Sequence, residues 1–172
     1  MTRWTLPHDE LRASLATADV RPSWLDDLER VAWSPVPILI TDRNDLRRRT
    51  VARSVHELSG VQRGPFVAWS CQIDEAGGNS RLGTRMAIGH ARGGSLFLDA
   101  IDRMPREGQA ELYAFLTDEL RQEARTDEGV GRSVRVIAGT NAPLVARIKD
   151  GAFDEALFYR LNALHVVVDE GC

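Results

Sequence analysis

Charged and polar residues that could bind a ligand follow the apolar stretches of this 172-residue chain. An arginine-rich segment, residues 42–49, follows the first stretch, and Asp99 ends another. Thr140-Asn141 and a helical segment that carries Arg160 complete the set. The arginines at 47–49 have three interpretations. A solvent-exposed face is favoured, a basic contact for a partner comes second, and a phosphate-binding group in place of the usual loop comes third. Asp99 can also simply cap the turn that follows it.

Five apolar runs separated by helical patterns predict a parallel sheet covered by helices on both faces, because strands buried on both sides are apolar throughout. The runs are residues 36–40, 66–69, 95–98, 134–138 and 164–168. Helices are predicted over 51–58, from Pro105 through Leu120, over 143–149 and over 155–161, with loops at 77–80 and 126–132. Ligands of such sheets bind beyond the carboxyl ends of the strands, so the candidate residues are expected at that edge.

Composition favours one globular domain with a short helical extension over residues 1–32. The chain is 43% hydrophobic and 27% charged, and its net charge of −3 gives no general attraction to DNA or to an anionic membrane. With no apolar run of about 20 residues and no secretory signal, a cytoplasmic protein is expected. Cys71 and Cys172 predict neither a disulfide framework nor a metal site, and Cys71 is expected to be a small buried residue.

Six motifs give a family resemblance that covers about residues 33–168. In chain order they are PILIT, VARSVHELS, GPFVAWSC, GGSLFLDAIDRMP, VRVIAGTN and FYRLN. Together they resemble the central AAA+ domain of sigma-54-dependent transcription activators. The resemblance implies a P-loop-NTPase-like three-layer αβα sandwich over residues 33–172, here without the helical lid subdomain. It also implies ATP and Mg²⁺ as ligands and the sigma-54 RNA polymerase as the target.

In this chain, the segment at the position of the family's phosphate-binding loop differs from the family's pattern. A loop of the form GxxxxGK[ST] uses glycines and a lysine to hold phosphates, whereas residues 42–49 here read DRNDLRRR. Arg48 stands at the lysine position, and Asp42 and Asp45 would place negative charge beside the phosphates. A turn with positive φ would be strained without glycine, although Asn44 or Asp45 could adopt one.

The other positions that the resemblance implies are also altered. Asp99 matches the Mg²⁺-binding aspartate, but Ala100 replaces the glutamate that polarises water. Asn141 matches the residue that senses the γ-phosphate, although with no phosphate it is expected to stabilise its own turn. Arg160 matches one of two arginine fingers, while Asp154 occupies the place of the other, and an ion pair is expected of Arg160 before a catalytic role.

Between the second and third strands the chain has no GAFTGA segment, the family's contact with sigma-54. These losses predict a pseudo-ATPase: a non-catalytic regulatory or interaction module with Arg48, Asp99, Asn141 and Arg160 as vestigial positions. No cofactor and no direct DNA contact are expected. The partner is expected to be a protein, either a true activator or another signalling protein. The alternative is a domain that binds ATP with weak or no hydrolysis.

Overall fold

The computed structural model describes residues 31–72, 81–123 and 133–168. The predicted loops at 77–80 and 126–132 and the predicted extension up to residue 30 lie outside these ranges. In chain order the elements are β1 Ile38–Thr41, α1 Asp45–Leu58, β2 Phe66–Ser70, α2 Arg81–His90, β3 Ser95–Asp99, a 3-10 turn Ile101–Arg103, α3 Arg106–Glu123, β4 Arg135–Thr140, α4 Leu144–Lys149, α5 Glu155–Leu161 and β5 Leu164–Val167.

The five strands form one sheet in the order β2-β3-β4-β1-β5, and every neighbouring pair is parallel. At the centre, Leu39 lies opposite Ala138 on one side and His165 on the other. The prediction of a five-stranded parallel sheet is therefore confirmed, with the carboxyl ends of β1, β3 and β4 adjacent at one edge.

Helices cover both faces of the sheet, which confirms the predicted three-layer αβα arrangement. One face packs against α2, α3 and α5 through Ala87, Ile88, Leu112, Leu116, Leu157 and Leu161. The other packs against α1 through Val51, Ala52 and Val55. Burial on both sides accounts for the uninterrupted apolar character of the central strands. Among the described residues, no helix is long and apolar enough to cross a membrane.

The helix α2 was not expected from the sequence. It spans Arg81–His90 and packs Ala87 and Ile88 inward, while Leu82 and Met86 stay largely exposed. Glycine is a poor helix former, costing about 1 kcal/mol relative to alanine, and α2 contains Gly83 and Gly89. Two glycines within ten residues lower the helix propensity of this segment, so propensity did not predict a helix here.

His56 links α1 to the start of β3 from inside the protein. Its ring is 3% exposed, and Nδ1 lies 2.9 Å from Ser95 Oγ. The ring centroid lies 5.4 Å from that of Phe66. Burial, helped by the nearby positive charge of Arg53, lowers the pKa of His56 below its ordinary value, so the neutral ring is the form that fits the fold.

We therefore expect the free energy of unfolding to fall as the pH drops below the ordinary histidine value of about 6.5. The unfolded chain binds the proton more readily than the folded chain, so the contribution is complete above that pH and is lost in acid, by at most about 1.4 kcal/mol per pH unit. Urea unfolding between pH 5 and 8 measures it. His56→Gln should flatten the profile more than His165→Gln, which changes a more exposed ring, and equal slopes in the parent and His56→Gln would contradict the assignment.

Candidate functional site

The connection between β1 and α1 contains just three residues, Asp42, Arg43 and Asn44. Asn44 has φ −88° and caps the helix, and Asp45 is already helical. Neither adopts the positive φ that the sequence allowed for, because so short a connection passes directly from strand to helix. The arginines at 47–49 therefore belong to the beginning of a helix rather than to a loop.

The N–H groups at the start of α1 are occupied by the protein itself. Arg47 N–H donates to Asn44 Oδ1 at 3.0 Å, and Leu46 N–H donates to Asp45 Oδ1 at 2.9 Å. Asn44 N–H donates to Asp42 Oδ1 at 2.8 Å. Unpaired N–H groups at a helix start are what make it an anion site. Three donors that could face a phosphate are thus already hydrogen-bonded.

Asp42 does not present free negative charge to the site. Its carboxylate is fully buried and pairs with the Arg47 guanidinium, with Nη2 2.9 Å from Oδ1. Burial by itself would raise the pKa of the Asp42 carboxyl, but the bonds from Arg47 and from Asn44 N–H hold that pKa below its usual range. This pair joins residues five apart across the helix start and was not expected from the sequence.

Arg48 is the central residue of the site, and its predicted position on a solvated face is wrong. The side chain is 4% exposed, and Nε donates to Asp99 Oδ1 at 2.8 Å. Nη1 also donates to the main-chain oxygen of Asp42 at 2.6 Å. Successive helical residues point about 100° apart, so Arg47 turns to Asp42, Arg48 turns inward, and Arg49 faces solvent.

Asp99 is both the partner of Arg48 and the cap of the next turn. Its Oδ1 accepts from Arg48 Nε and from Ala100 N–H at 3.0 Å. A Cβ placed on Gly139 would lie 3.2 Å from this oxygen and 3.0 Å from the Phe97 ring, so glycine in β4 leaves the room that the carboxylate occupies. Two of the predicted positions, Arg48 and Asp99, are therefore brought into direct contact.

Ala100 is the strained residue of the site. It has φ 52° and ψ 47°. Among residues 31–72, 81–123 and 133–168, it is the only non-glycine residue with positive φ. The left-handed conformation brings Cβ close to the following carbonyl oxygen, which costs about 1–2 kcal/mol for an L-residue. The methyl group of Ala100, at the position where the resemblance implies a glutamate, is buried and offers no proton acceptor.

Thr140, rather than Asn141, organises the turn after β4. Its Oγ1 lies 2.8 Å from Ala142 O, accepts from Ala142 N–H at 3.2 Å and lies 3.2 Å from Asp102 Oδ1. Asn141 is exposed and makes no hydrogen bond within the described part of the chain. The expectation that Asn141 stabilises its own turn is therefore wrong, because the shorter threonine side chain, directed inward by the strand, reaches the backbone first.

Arg160 lies at the opposite edge of the sheet, contrary to the expected grouping. It is in the last turn of α5, which leads into the amino end of β5, and it lines a groove with Pro35, Val134 and Ala163. A helix that returns the chain to a parallel strand must end where that strand begins. Asp154, at the other finger position, caps α5 by accepting from Leu157 N–H at 2.7 Å.

Cys71 is a structural residue, as expected. It is 0% exposed, and burial, followed by the negative charges of Asp99 and Asp102, strongly raises the pKa of its thiol. Nucleophilic and metal-binding cysteines react as thiolates, which this environment opposes. Within the described ranges no group of three histidine, cysteine, aspartate or glutamate residues could hold a metal ion.

We expect Arg48→Met to lower the free energy of unfolding by about 2 kcal/mol. Removing one member of a buried ion pair costs about 3–5 kcal/mol, and the 26% exposure of the Asp99 side chain reduces this. The matched change Arg49→Met, on the exposed neighbour, should stay within about 0.5 kcal/mol of the parent. Denaturant titration compares them, and equal effects would show that the Arg48–Asp99 pair does not hold the site together.

Ala100→Gly should instead stabilise the protein, by about 0.5–1 kcal/mol. Relief of the left-handed conformation outweighs the greater freedom that glycine adds to the unfolded chain. The same change at Ala114, an exposed position inside α3, should cost about 1 kcal/mol. Thermal melts of both variants check the sign, and a lower melting temperature for Ala100→Gly would rule out strain at this residue.

Comparison with known proteins gives a consistent family. The family model described as "Sigma-54 interaction domain" matches residues 74–167, a stretch that begins after segment 42–49. The regulatory protein AtoC of Escherichia coli is 30% identical over 86% of this chain, and the activator SfnR of Pseudomonas putida is 33% identical over 81%. The chain spans 36% and 42% of the length of these two relatives.

Solved structures agree with the fold. NtrX from Brucella abortus in complex with ADP superposes with a TM-score of 0.71 at 32% identity, over 93% of this chain and 40% of that one. The P-loop NTPase domain of an E. coli sigma-54 activator gives 0.61 at 20% identity, over 80% of this chain and 99% of that one, which supports the fold alone. The chain belongs to the sigma-54 interaction domain family, the AAA+ domain of sigma-54-dependent transcriptional regulators.

Proposed function

We propose that this domain is a pseudo-ATPase, a non-catalytic member of its family that takes part in transcription regulation through protein contacts. The single observation that carries the proposal is the Arg48–Asp99 ion pair at the place where the family's nucleotide would bind. The two residues expected to hold phosphate and Mg²⁺ hold each other instead.

The ion pair opposes both ligands of the family's reaction. A Mg²⁺ ion at Asp99 would have to displace the Arg48 guanidinium, and a phosphate at Arg48 would have to draw it away from Asp99. Each 1.4 kcal/mol needed for that displacement weakens binding about tenfold. The occupied N–H groups of Leu46 and Arg47 add to this cost, since an anion would have to replace bonds that already exist.

The alanine at position 100 opposes hydrolysis separately from binding. Its methyl group can neither accept a proton from water nor orient it, and the loss of a positioned base costs about 10²–10⁴ in rate. A glutamate at position 100 would also place a longer side chain on a residue with φ 52°. Even a bound nucleotide would therefore meet no water-activating carboxylate from Ala100.

An alternative is a domain that binds ATP as a ligand without turning it over. It is favoured by the basic character of the α1 start, where Arg43 and Arg49 are exposed. The Brucella NtrX structures with ADP and with ATP, 32% and 30% identical, belong to proteins with the same fold. In this alternative Arg48 would exchange Asp99 for a phosphate.

Nucleotide titration separates the two functions. Isothermal titration and thermal melts with ATP, ADP and cyclic dinucleotides, with and without Mg²⁺, should give no binding heat and no change in melting temperature for the parent. Arg48→Ala and the exposed-site control Arg49→Ala should behave the same way. A ligand present at about 100 times its Kd would stabilise the folded state by about 2.7 kcal/mol, which such melts detect readily.

Two outcomes would change the conclusion. A rise in melting temperature with ATP that is lost in Arg48→Ala and kept in Arg49→Ala would establish the ligand-binding alternative. Measurable ATP turnover that disappears in Asp99→Ala would overturn the non-catalytic proposal altogether. If neither occurs, co-purification from the native host identifies the protein partner, which we propose to be a true activator of this family or another signalling protein.

A further inference from the structure

A groove lies at the amino edge of the sheet, away from the Arg48–Asp99 pair. It runs between α3 and α5, and we call it the α3–α5 groove. Its volume is about 220 Å³. Buried side chains of Leu116, Val134 and Val136 form its apolar floor. Small-molecule sites usually enclose about 300–1,000 Å³, so this groove suits one or two side chains of a protein better than a cofactor.

One exposed aromatic residue lines the groove, and a second lies close in sequence to one of the lining residues. Tyr159, which lines it, is 68% exposed. Trp33, two residues before the lining residue Pro35, is 74% exposed. Tryptophan, tyrosine and arginine are the residues that contribute most at protein interfaces, because they bury a large area with few rotatable bonds. A rim of this kind indicates a protein contact.

Arg160 supplies the charge that specifies the contact. It is half-buried in the groove wall and forms no ion pair with the described residues. Glu119, which also lines the groove, has an interaction of its own. A guanidinium group does not lose its proton in proteins, so its partial burial is compensated best by a carboxylate, which it can bind through two parallel hydrogen bonds.

We propose that the α3–α5 groove is a docking site for a segment of a partner protein that presents an apolar side chain beside an aspartate or glutamate. The apolar side chain covers Leu116, Val134 and Val136, and the carboxylate pairs with Arg160. This inference rests on the proposed function as an interaction module and names the surface and the chemistry of its partner.

The test uses a phage-displayed library of random dodecapeptides, selected on the immobilised chain. Parallel selections use Arg160→Glu and the control Arg63→Glu, which makes the same charge change at an exposed site beside β2, across the sheet from the groove. The parent and Arg63→Glu should enrich peptides with an acidic residue next to an apolar one. Selection on Arg160→Glu should not enrich peptides with an acidic residue.

A synthetic peptide from the selection then quantifies the contact. We expect the peptide to bind Arg160→Glu at least tenfold more weakly than it binds the parent. Replacing the acidic residue of the peptide by its amide should weaken binding to the parent at least tenfold. Tyr159→Ala, at a largely exposed position that does not threaten folding, should also weaken binding several-fold, while Arg63→Glu should bind like the parent. Thermal melts confirm that each variant is folded.

Three results would overturn the docking site. They are selected peptides without an acidic consensus, no enrichment of peptides at all, and equal binding of the peptide to the parent and to Arg160→Glu. None of these results depends on nucleotide, since Arg48 and Asp99 lie at the other edge of the sheet. ATP turnover would overturn the pseudo-ATPase proposal while leaving the peptide result intact, so the two failures are distinguishable.

Discussion

One buried guanidinium, that of Arg48, connects the carboxyl ends of two strands of the sheet. Arg48 binds the main-chain oxygen of Asp42 just after β1 and the carboxylate of Asp99 at the end of β3. Asp42 N–H in turn donates to Thr140 O at the end of β4. Three adjacent strands are thereby tied together at their carboxyl ends by protein groups, where related folds leave a crevice for a ligand.

The same arrangement resolves an apparent conflict at the start of α1. Two inward-turned arginines at a helix start oppose the positive end of the helix dipole. Here Arg47 is neutralised by Asp42 and Arg48 by Asp99, while Asn44 and Asp45 accept the free N–H groups. These pairs explain how the Arg48 side chain can be buried at the start of a helix.

Much of the fold was predictable because strands buried on both faces are mainly apolar, as the runs at 36–40, 95–98 and 134–138 show. The site was less predictable. Arg47, Arg48 and Arg49 look alike in sequence, and what separates them is helical rotation and a partner, Asp99, that lies 51 residues further along the chain. The position of Arg160 also could not be predicted from its neighbours in the sequence. The end of the sheet at which it lies depends on the direction of α5 relative to β5. The roles of Arg48, Asp99, Asn141 and Arg160 toward a nucleotide stay predictions.

Under the non-catalytic proposal, simple decay of a nucleotide site would leave a different structure from the one described. If the lysine and glycines had merely been replaced at random, Asp99 would face the site without a counter-charge, and the helix would present N–H groups with no acceptor. Unpaired buried groups of this kind cost about 1–3 kcal/mol each. Instead Arg48, Asp99 and the N–H groups of Leu46 and Arg47 all have partners within the protein. In the proposed interaction module, the groove at the amino ends of the strands, with its apolar floor and half-buried Arg160, is then the surface on which a partner would act.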